Sequence, residues 1–266
     1  MNKKFLLFVP FYNCEKQITK LIDQFDSNVC EIFSEIIFVD NRSSDNGQRV
    51  LIEYLHKKEI NIKWKILLND HNYNLGGSHK VAFNYAIINS FDYVVVLHGD
   101  AQGSIKDFLE NKEFLDDNTD CFLGSRFSTN SVRIGYSAFR TFGNYVFNLL
   151  CSLSLNKKIT DMGSGLNCFK TSFLAKNNFL KLPNDLVFNN MMLFFMDYKK
   201  ANYKFFPISW VEEDQVSNAK LVSQSYKILK MCIKYLFGFR TFITSDNSNT
   251  INEYSYKIVK SSHQDR

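Results

Sequence analysis

The chain has 266 residues, 45% of them hydrophobic, 15% aromatic and 22% charged, a composition that fills a sizeable core and excludes an intrinsically disordered protein. Its formal charge of +5 is too mild for a dedicated nucleic-acid binder, so no nucleic-acid partner is expected, while attraction to an anionic membrane or substrate stays open. Three Pro and eleven Gly exclude collagen-like, Pro-rich and Gly/Ser linker architectures, and the length favours one large α/β domain with a C-terminal extension over two independent cores.

In chain order, strand-like runs at 5–9, 35–39, 64–68, 93–97 and 121–123 alternate with helix-period segments at 15–25, 48–58, 78–89 and 105–114. Near-continuous apolar runs separated by helices are the pattern of βα units in a mostly parallel sheet buried on both faces. Further on, the spacing predicts helices at 139–155 and 186–199, a strand-like run at 203–210 and a last helix at about 216–237. In that last helix Lys220, Lys227, Lys230 and Lys234 share one stripe, and Leu221, Ile228, Leu229, Cys232 and Leu236 fall opposite. Such a helix suits either packing on the sheet or peripheral contact with a membrane. The expected organisation is a sheet domain over 1–214, an amphipathic helix over 215–240, and a polar, poorly ordered tail over 241–266. The opening apolar run is too short for a signal-peptide core, and six scattered cysteines without a C-x-x-C pair suggest reduced thiols, so a cytoplasmic location is expected.

In an open parallel sheet, ligands bind outside the carboxyl ends of the strands. Those ends read Pro10-Phe11-Tyr12-Asn13, Asp40-Asn41-Arg42-Ser43-Ser44-Asp45, His98-Gly99-Asp100-Ala101-Gln102 and Gly124-Ser125-Arg126. No G-x-G-x-x-G follows the first strand and no G-x-x-x-x-G-K-[ST] loop is present, which argues against a nicotinamide dehydrogenase and a P-loop enzyme.

Taken together these segments resemble the family 2 glycosyltransferases of the GT-A fold, and within them the branch of dolichyl- or polyprenyl-phosphate sugar transferases. The segment from Phe8 to Asn13 is similar to that family's opening strand and loop, and Val39-Asp40-Asn41-Arg42-Ser43-Ser44-Asp45 to its V-D-D-x-S-x-D element. Asn74-Leu75-Gly76-Gly77 resembles its N-x-G turn, His98 to Gln102 its D-x-D-x-Q segment, Gly124-Ser125-Arg126-Phe127 its G-S-R-[FY] element and Asp161-Met162-Gly163-Ser164-Gly165-Leu166 its D-x-x-S-G-[FL] element. The likeness runs from residue 5 to about residue 230. It implies a Rossmann-like nucleotide-sugar-binding sheet flanked by helices and an inverting transfer from a nucleoside-diphosphate sugar, UDP favoured. The implied acceptor is a lipid-linked molecule or glycan, met at the inner face of the cytoplasmic membrane in surface polysaccharide or glycolipid synthesis; the alternatives are a polyprenyl-phosphate sugar transferase and, because His98 stands where an acid is expected, a non-catalytic nucleotide-sugar-binding subunit.

The resemblance also implies roles for residues. Pro10, Tyr12, Asn13, Ser43 and Gly76 would line the donor site, and Asp40 would accept a hydrogen bond from a nucleobase imide, since a carboxylate is an acceptor-only group. The capping of the following helix falls to Ser43 or Asp45. Asp100 and Gln102 would hold Mn2+ or Mg2+ for the leaving diphosphate. His98 stands where an Asp is expected and is either a further ligand, favouring manganese, or a packed histidine at a strand end. Arg126, Arg140 and Lys80 are candidates for phosphate contact. Asp161 is the candidate base, with a structural role in its own turn as the rival and Glu212, Glu213 and Asp214 as alternatives. Where polyprenyl-phosphate transferases carry R-x-x-G-x-S-K, this chain has Asp214 to Lys220 with an acid in place of Arg. That departure favours a sugar hydroxyl on a lipid-linked glycan over a lipid phosphate as acceptor; oligomeric state stays open.

Overall fold

Alternate residues of the first apolar run enter two different cores. Leu6 and Phe8 join one, and Leu7, Val9 and Phe11 the other, so the strand has no polar face and must lie in the middle of a covered sheet. The computed structural model describes residues 3–212, 221–248, 251 and 253–262. Its first half runs β1 (Phe5–Phe11), α1 (Ile18–Ile22), α2 (Ser27–Ile32), β2 (Phe33–Asp40), α3 (Gly47–Lys58), β3 (Trp64–Asn69), α4 (Asn74–Ile88), β4 (Tyr93–Leu97), α5 (Ile105–Asn111) and β5 (Cys121–Ser125). The second half adds β6 (Val132–Ile134), α6 (Ala138–Leu155), β7 (Leu166–Lys170), α7 (Thr171–Lys176), α8 (Phe188–Tyr198), β8 (Tyr203–Pro207), β9 (Ser209–Val211), α9 (Leu221–Leu236), α10 (Thr241–Thr244) and β10 (Tyr256–Ser261).

Among the described residues the main sheet has eight strands in the order β10-β3-β2-β1-β4-β7-β5-β8. β7 is antiparallel to both β4 and β5, and β10 is antiparallel to β3; the remaining strand pairs are parallel. The chain therefore winds outward from β1 through β2 to β3, then returns to start β4 on β1's other side. That reversal opens a crevice at the carboxyl ends of β1 and β4, where such sheets bind ligands. The mostly parallel α/β architecture expected from the sequence is the one observed.

Two departures concern the C-terminal part. The tail beyond 241 is not the structureless segment expected: Tyr256 to Ser261 pairs with β3, from Tyr256 opposite Asn69 to Ser261 opposite Lys65. An edge strand needs little burial, so its signal is only the short Ile258-Val259 pair, and it covers an edge that would otherwise be open. The amphipathic helix α9 packs through Ile228, Met231, Cys232 and Tyr235, whereas Leu229 and Leu236, expected on the buried side, are exposed. Tyr235 donates to Asp197 of α8 at 2.5 Å, and Cys232 meets Cys151 of α6 at 3.5 Å. Lys220, Glu213, Asp214 and the stretch between Asp214 and Lys220 lie outside the described residues. Among the described residues no helix is long and apolar enough to cross a membrane.

Candidate active site

The crevice is assembled by backbone pairing. Phe11 and Asp40 are partners across β1 and β2, the Asn41 N–H donates to the Phe11 carbonyl at 3.1 Å, and the Gly99 N–H donates to the Pro10 carbonyl at 2.9 Å. Only glycine permits the last contact, because a Cβ at position 99 would lie 2.7 Å from Phe11 Cβ and 2.9 Å from the Pro10 oxygen. Asp40 and the turn beginning at His98 thus flank the end of β1, with Tyr12 and Asn13 exposed between them.

Asp40 is buried and accepts hydrogen bonds from the Ser43 N–H at 2.8 Å and Gln48 Nε2 at 2.9 Å. Burial raises its carboxyl above the ordinary value, and the Ser43 and Gln48 donors oppose that shift. The Ser43 hydroxyl accepts from the Asn13 N–H at 3.1 Å, while the Asn13 side-chain oxygen accepts from the Ser44 N–H at 2.8 Å. The N-cap position of α3 is Asn46, whose side chain makes no cap bond; Asp45 just before it accepts from the Gly47 N–H at 3.0 Å and also from the Glu15 N–H at 2.8 Å, whereas Ser43, the other expected cap, does not serve that helix. Gln48 had no motif to announce it; its one sequence signal is a position in the first turn of the helix that follows Asp40.

Asp100 and Gln102 occupy one tight turn, in which the Gln102 N–H donates to Asp100 Oδ1 at 3.3 Å and Ala101 takes a φ of 57°. Burial pushes the Asp100 carboxyl up to about 6. The Cys14 thiol is pushed up to about 12 by burial, with smaller contributions from the charges of Asp100, Asp45 and Asp40. A divalent cation beside Asp100 would restore its charged form. Among the described residues no three His, Cys, Asp or Glu side chains stand close enough to hold an ion by themselves. The donor set, one carboxylate from Asp100 and one neutral amide oxygen from Gln102, fits a hard cation that would draw its remaining ligands from substrate and solvent oxygens.

His98 lies on the other face of β4. Its ring packs so closely on Gly165 that a Cβ there would be 2.9 Å away, and its Nε2 is buried without a partner among the described residues. Burial and the nearby Arg126 guanidinium push it down to about 4. A neighbouring guanidinium opposes a cation at this imidazole. The adjacent His79, wholly buried, is pushed down to about 3 by burial. Because its folded value lies below the unfolded 6.5, the unfolded chain alone takes up the proton as pH falls, and stability is lost from about pH 6.5 downward. In a His79→Phe protein the acid decline of unfolding free energy should be shallower by about 1.4 kcal/mol per pH unit, measured by urea titrations between pH 6 and 4.5.

Arg126 and Asp161, expected as separate catalytic groups, are partners. Asp161 accepts from Arg126 Nε at 2.7 Å, Arg126 Nη2 at 2.8 Å, the Arg126 N–H at 2.9 Å and the Gly163 N–H at 3.0 Å. The side chains are 12% and 1% exposed, and the guanidinium also lies 5.3 Å from the Trp210 ring centroid. Both oxygens of Asp161, the expected base, are thus taken up by the pair and its own turn, and its side chain is almost closed to solvent, a geometry that suits holding Arg126 in place more than taking an acceptor proton. Arg140 is ion-paired with Glu212, and Tyr136 touches both pairs: its hydroxyl accepts from Arg126 Nη1 at 3.4 Å, and its ring centroid lies 4.7 Å from the Arg140 guanidinium.

Two expected donor-site residues are elsewhere. Lys80 is fully buried and donates to the Leu182 carbonyl at 2.5 Å, Asn184 Oδ1 at 2.7 Å and the Tyr254 hydroxyl at 2.9 Å. Those three acceptors exhaust its three donors, so none is left for a diphosphate, and burial pushes its amine down to about 7. Gly76 is a packing position: its N–H donates to the Asn184 carbonyl at 2.7 Å, and a Cβ would lie 2.5 Å from the Pro183 oxygen.

Comparison with known proteins bears on this geometry. The sequence profile of Glycosyl transferase family 2 matches residues 7–177. A protein of Methanocaldococcus jannaschii, itself uncharacterised, is 23% identical over 182 residues, 65% of this chain and 75% of that one. Glucosyl-3-phosphoglycerate synthase from Mycobacterium tuberculosis, solved with UDP, superposes with a TM-score of 0.64 at 12% identity over 97% of this chain and 88% of that one. The same enzyme solved with Mn2+, UDP-glucose and glycerol 3-phosphate gives 0.62 at 12% identity, over 88% and 80%. TarS of S. aureus gives 0.52 at 20% identity, over 90% of this chain and 73% of that one. At these identities the likeness is one of fold.

Proposed function

Because the chain belongs to glycosyl transferase family 2 and is a glycosyltransferase of the GT-A fold, we propose that it moves a sugar from a UDP-sugar to a lipid-linked or glycan acceptor with inversion at the anomeric carbon. The observation that carries this reading is the pairing of Asp40 with the Asp100 turn on the two sides of the β1 end. Asp40 has an oxygen lone pair for the uracil N–H beside those used by Ser43 and Gln48. Asn13, Tyr12 and Ser43 form the rim over the ribose, and Pro10 sets the close approach of Gly99.

Asp100 and Gln102 would hold Mn2+ or Mg2+ against the diphosphate, where the ion supplies charge stabilisation for the leaving group. His98 stays outside that shell as a packed side chain. The Arg126–Asp161 pair fixes the β5 end against the turn before β7, so the acceptor side keeps its shape, and Arg140 with Glu212 offers a forked donor and a carboxylate nearer the mouth. The occupied Asp161 favours a second reading of the acceptor: a phosphate, as in polyprenyl-phosphate sugar transfer, attacks as an anion and needs no base. Parallel assays with a polyprenyl phosphate and a lipid-linked glycan separate the two, since the first accepts sugar without a protein base and the second does not.

Replacing Asp40 by Asn is expected to weaken UDP binding by about 1–3 kcal/mol, the usual cost of losing a hydrogen bond to a charged group. Titration calorimetry with UDP and GDP checks it. Equal affinities for both diphosphates in wild type and variant would count against base recognition by Asp40.

A further inference from the structure

α6 presents its apolar residues to solvent. Phe139, Phe142, Leu149 and Leu153 are each more than half exposed and fall on one face at helical spacing, opposite the face that buries Asn148, Cys151 and Leu155. The neighbouring α9, joined to α6 through the Cys151–Cys232 contact, leaves Leu236 exposed, followed by exposed Phe237. A paired apolar surface of this kind marks an interaction site rather than scattered exposure.

Charge says what covers it. The stretches 138–160 and 221–245 contain no Asp or Glu but carry Arg140, Lys157, Lys158, Lys227, Lys230, Lys234 and Arg240. Arg140, Lys157 and Lys227 are paired with Glu212, Asp197 and Asp185 from other segments; Lys158 and Lys230 are exposed. A second copy seated on this surface would bring like charges together with no acid on either helix to meet them. A bilayer with anionic headgroups supplies an apolar interior and negative charge at once, and long lysine stems can lie along the apolar surface while their ammonium groups reach the headgroups.

We propose that the outward faces of α6 and α9 together form a docking surface for an anionic lipid membrane. Arg140, in the first turn of α6, lies beside the acceptor side of the crevice, so docking through α6 would place that side near the membrane. The proposal deepens the lipid-linked reading of the acceptor and rests on it for its purpose, but its test uses neither donor nor acceptor, so either can fail alone.

The test is co-sedimentation of the full chain with vesicles of phosphatidylglycerol and phosphatidylcholine in equal parts, against vesicles of phosphatidylcholine alone. Binding is expected to the anionic vesicles, weakened at least about tenfold by Lys230→Gln with Lys234→Gln and similarly by Leu149→Gln with Leu153→Gln. All four positions lie at the surface or its margin, so melting temperatures should match wild type, and the two variants cross-check each other. Binding that ignores lipid charge, or no binding to either vesicle, overturns the proposal. So does a dimer in sedimentation velocity that Leu149→Gln with Leu153→Gln disperses, which would assign the surface to a second copy.

Discussion

An Asp100→Ala protein should lose metal-supported sugar transfer by at least about a thousandfold while melting within about 2 °C of wild type. The two halves of that result have separate causes. Asp100 is the carboxylate of the turn at the β4 end, so in the proposed site its removal would take away the anionic anchor for a cation facing the departing diphosphate. The same carboxyl is pushed up to about 6 by burial, which means that the fold gains little from its charge and loses little when it goes. Turnover with Mn2+ and Mg2+ across a cation titration, beside a thermal melt, measures both. Near-normal turnover in the variant would remove the metal assignment from this turn.

Asp161→Ala should behave in the opposite manner, with stability as the first casualty. It strands a guanidinium that is 12% exposed, and unpairing a buried ion costs about 3–5 kcal/mol. For a chain of this size that is a fall in melting temperature on the order of 10 °C. Replacing both partners, Arg126→Met with Asp161→Leu, should recover much of the loss, because no charge is then left buried. A single Asp161→Ala protein that melts like wild type yet has lost transfer would return Asp161 to the role of base.

The strands that were legible in the sequence are those buried on both faces. β1 and β4 read as unbroken apolar runs because neither side of the strand meets water, and β2 and β3 as runs broken only near their starts, by Ser34 and Glu35 and by Lys65. β7 escaped because its five residues include Asn167 and Lys170, and the reason they form a strand lies in β4 and β5, which pair with it on either side. In the candidate site, Asp40 and Asp100 could be placed beside the end of β1 from sequence because a strand end is a position that sequence can locate. Lys80 shows the complementary limit: its helix was visible, but not Leu182, Asn184 and Tyr254, which take the lysine's donors, while Gly76, expected in a turn before that helix, lies inside it. The union of Arg126 with Asp161, 35 residues apart, follows from the turn before β7 reaching the end of β5, which no local spacing encodes.

The most direct test of the central assignment is release of nucleoside diphosphate from a panel of nucleotide sugars, with and without divalent cation and membrane lipid. The expected result is cation-dependent release of UDP from a UDP-sugar, suppressed by chelator and abolished in Asp100→Ala. Binding of every donor without release of diphosphate, under all acceptors and cations, would contradict it.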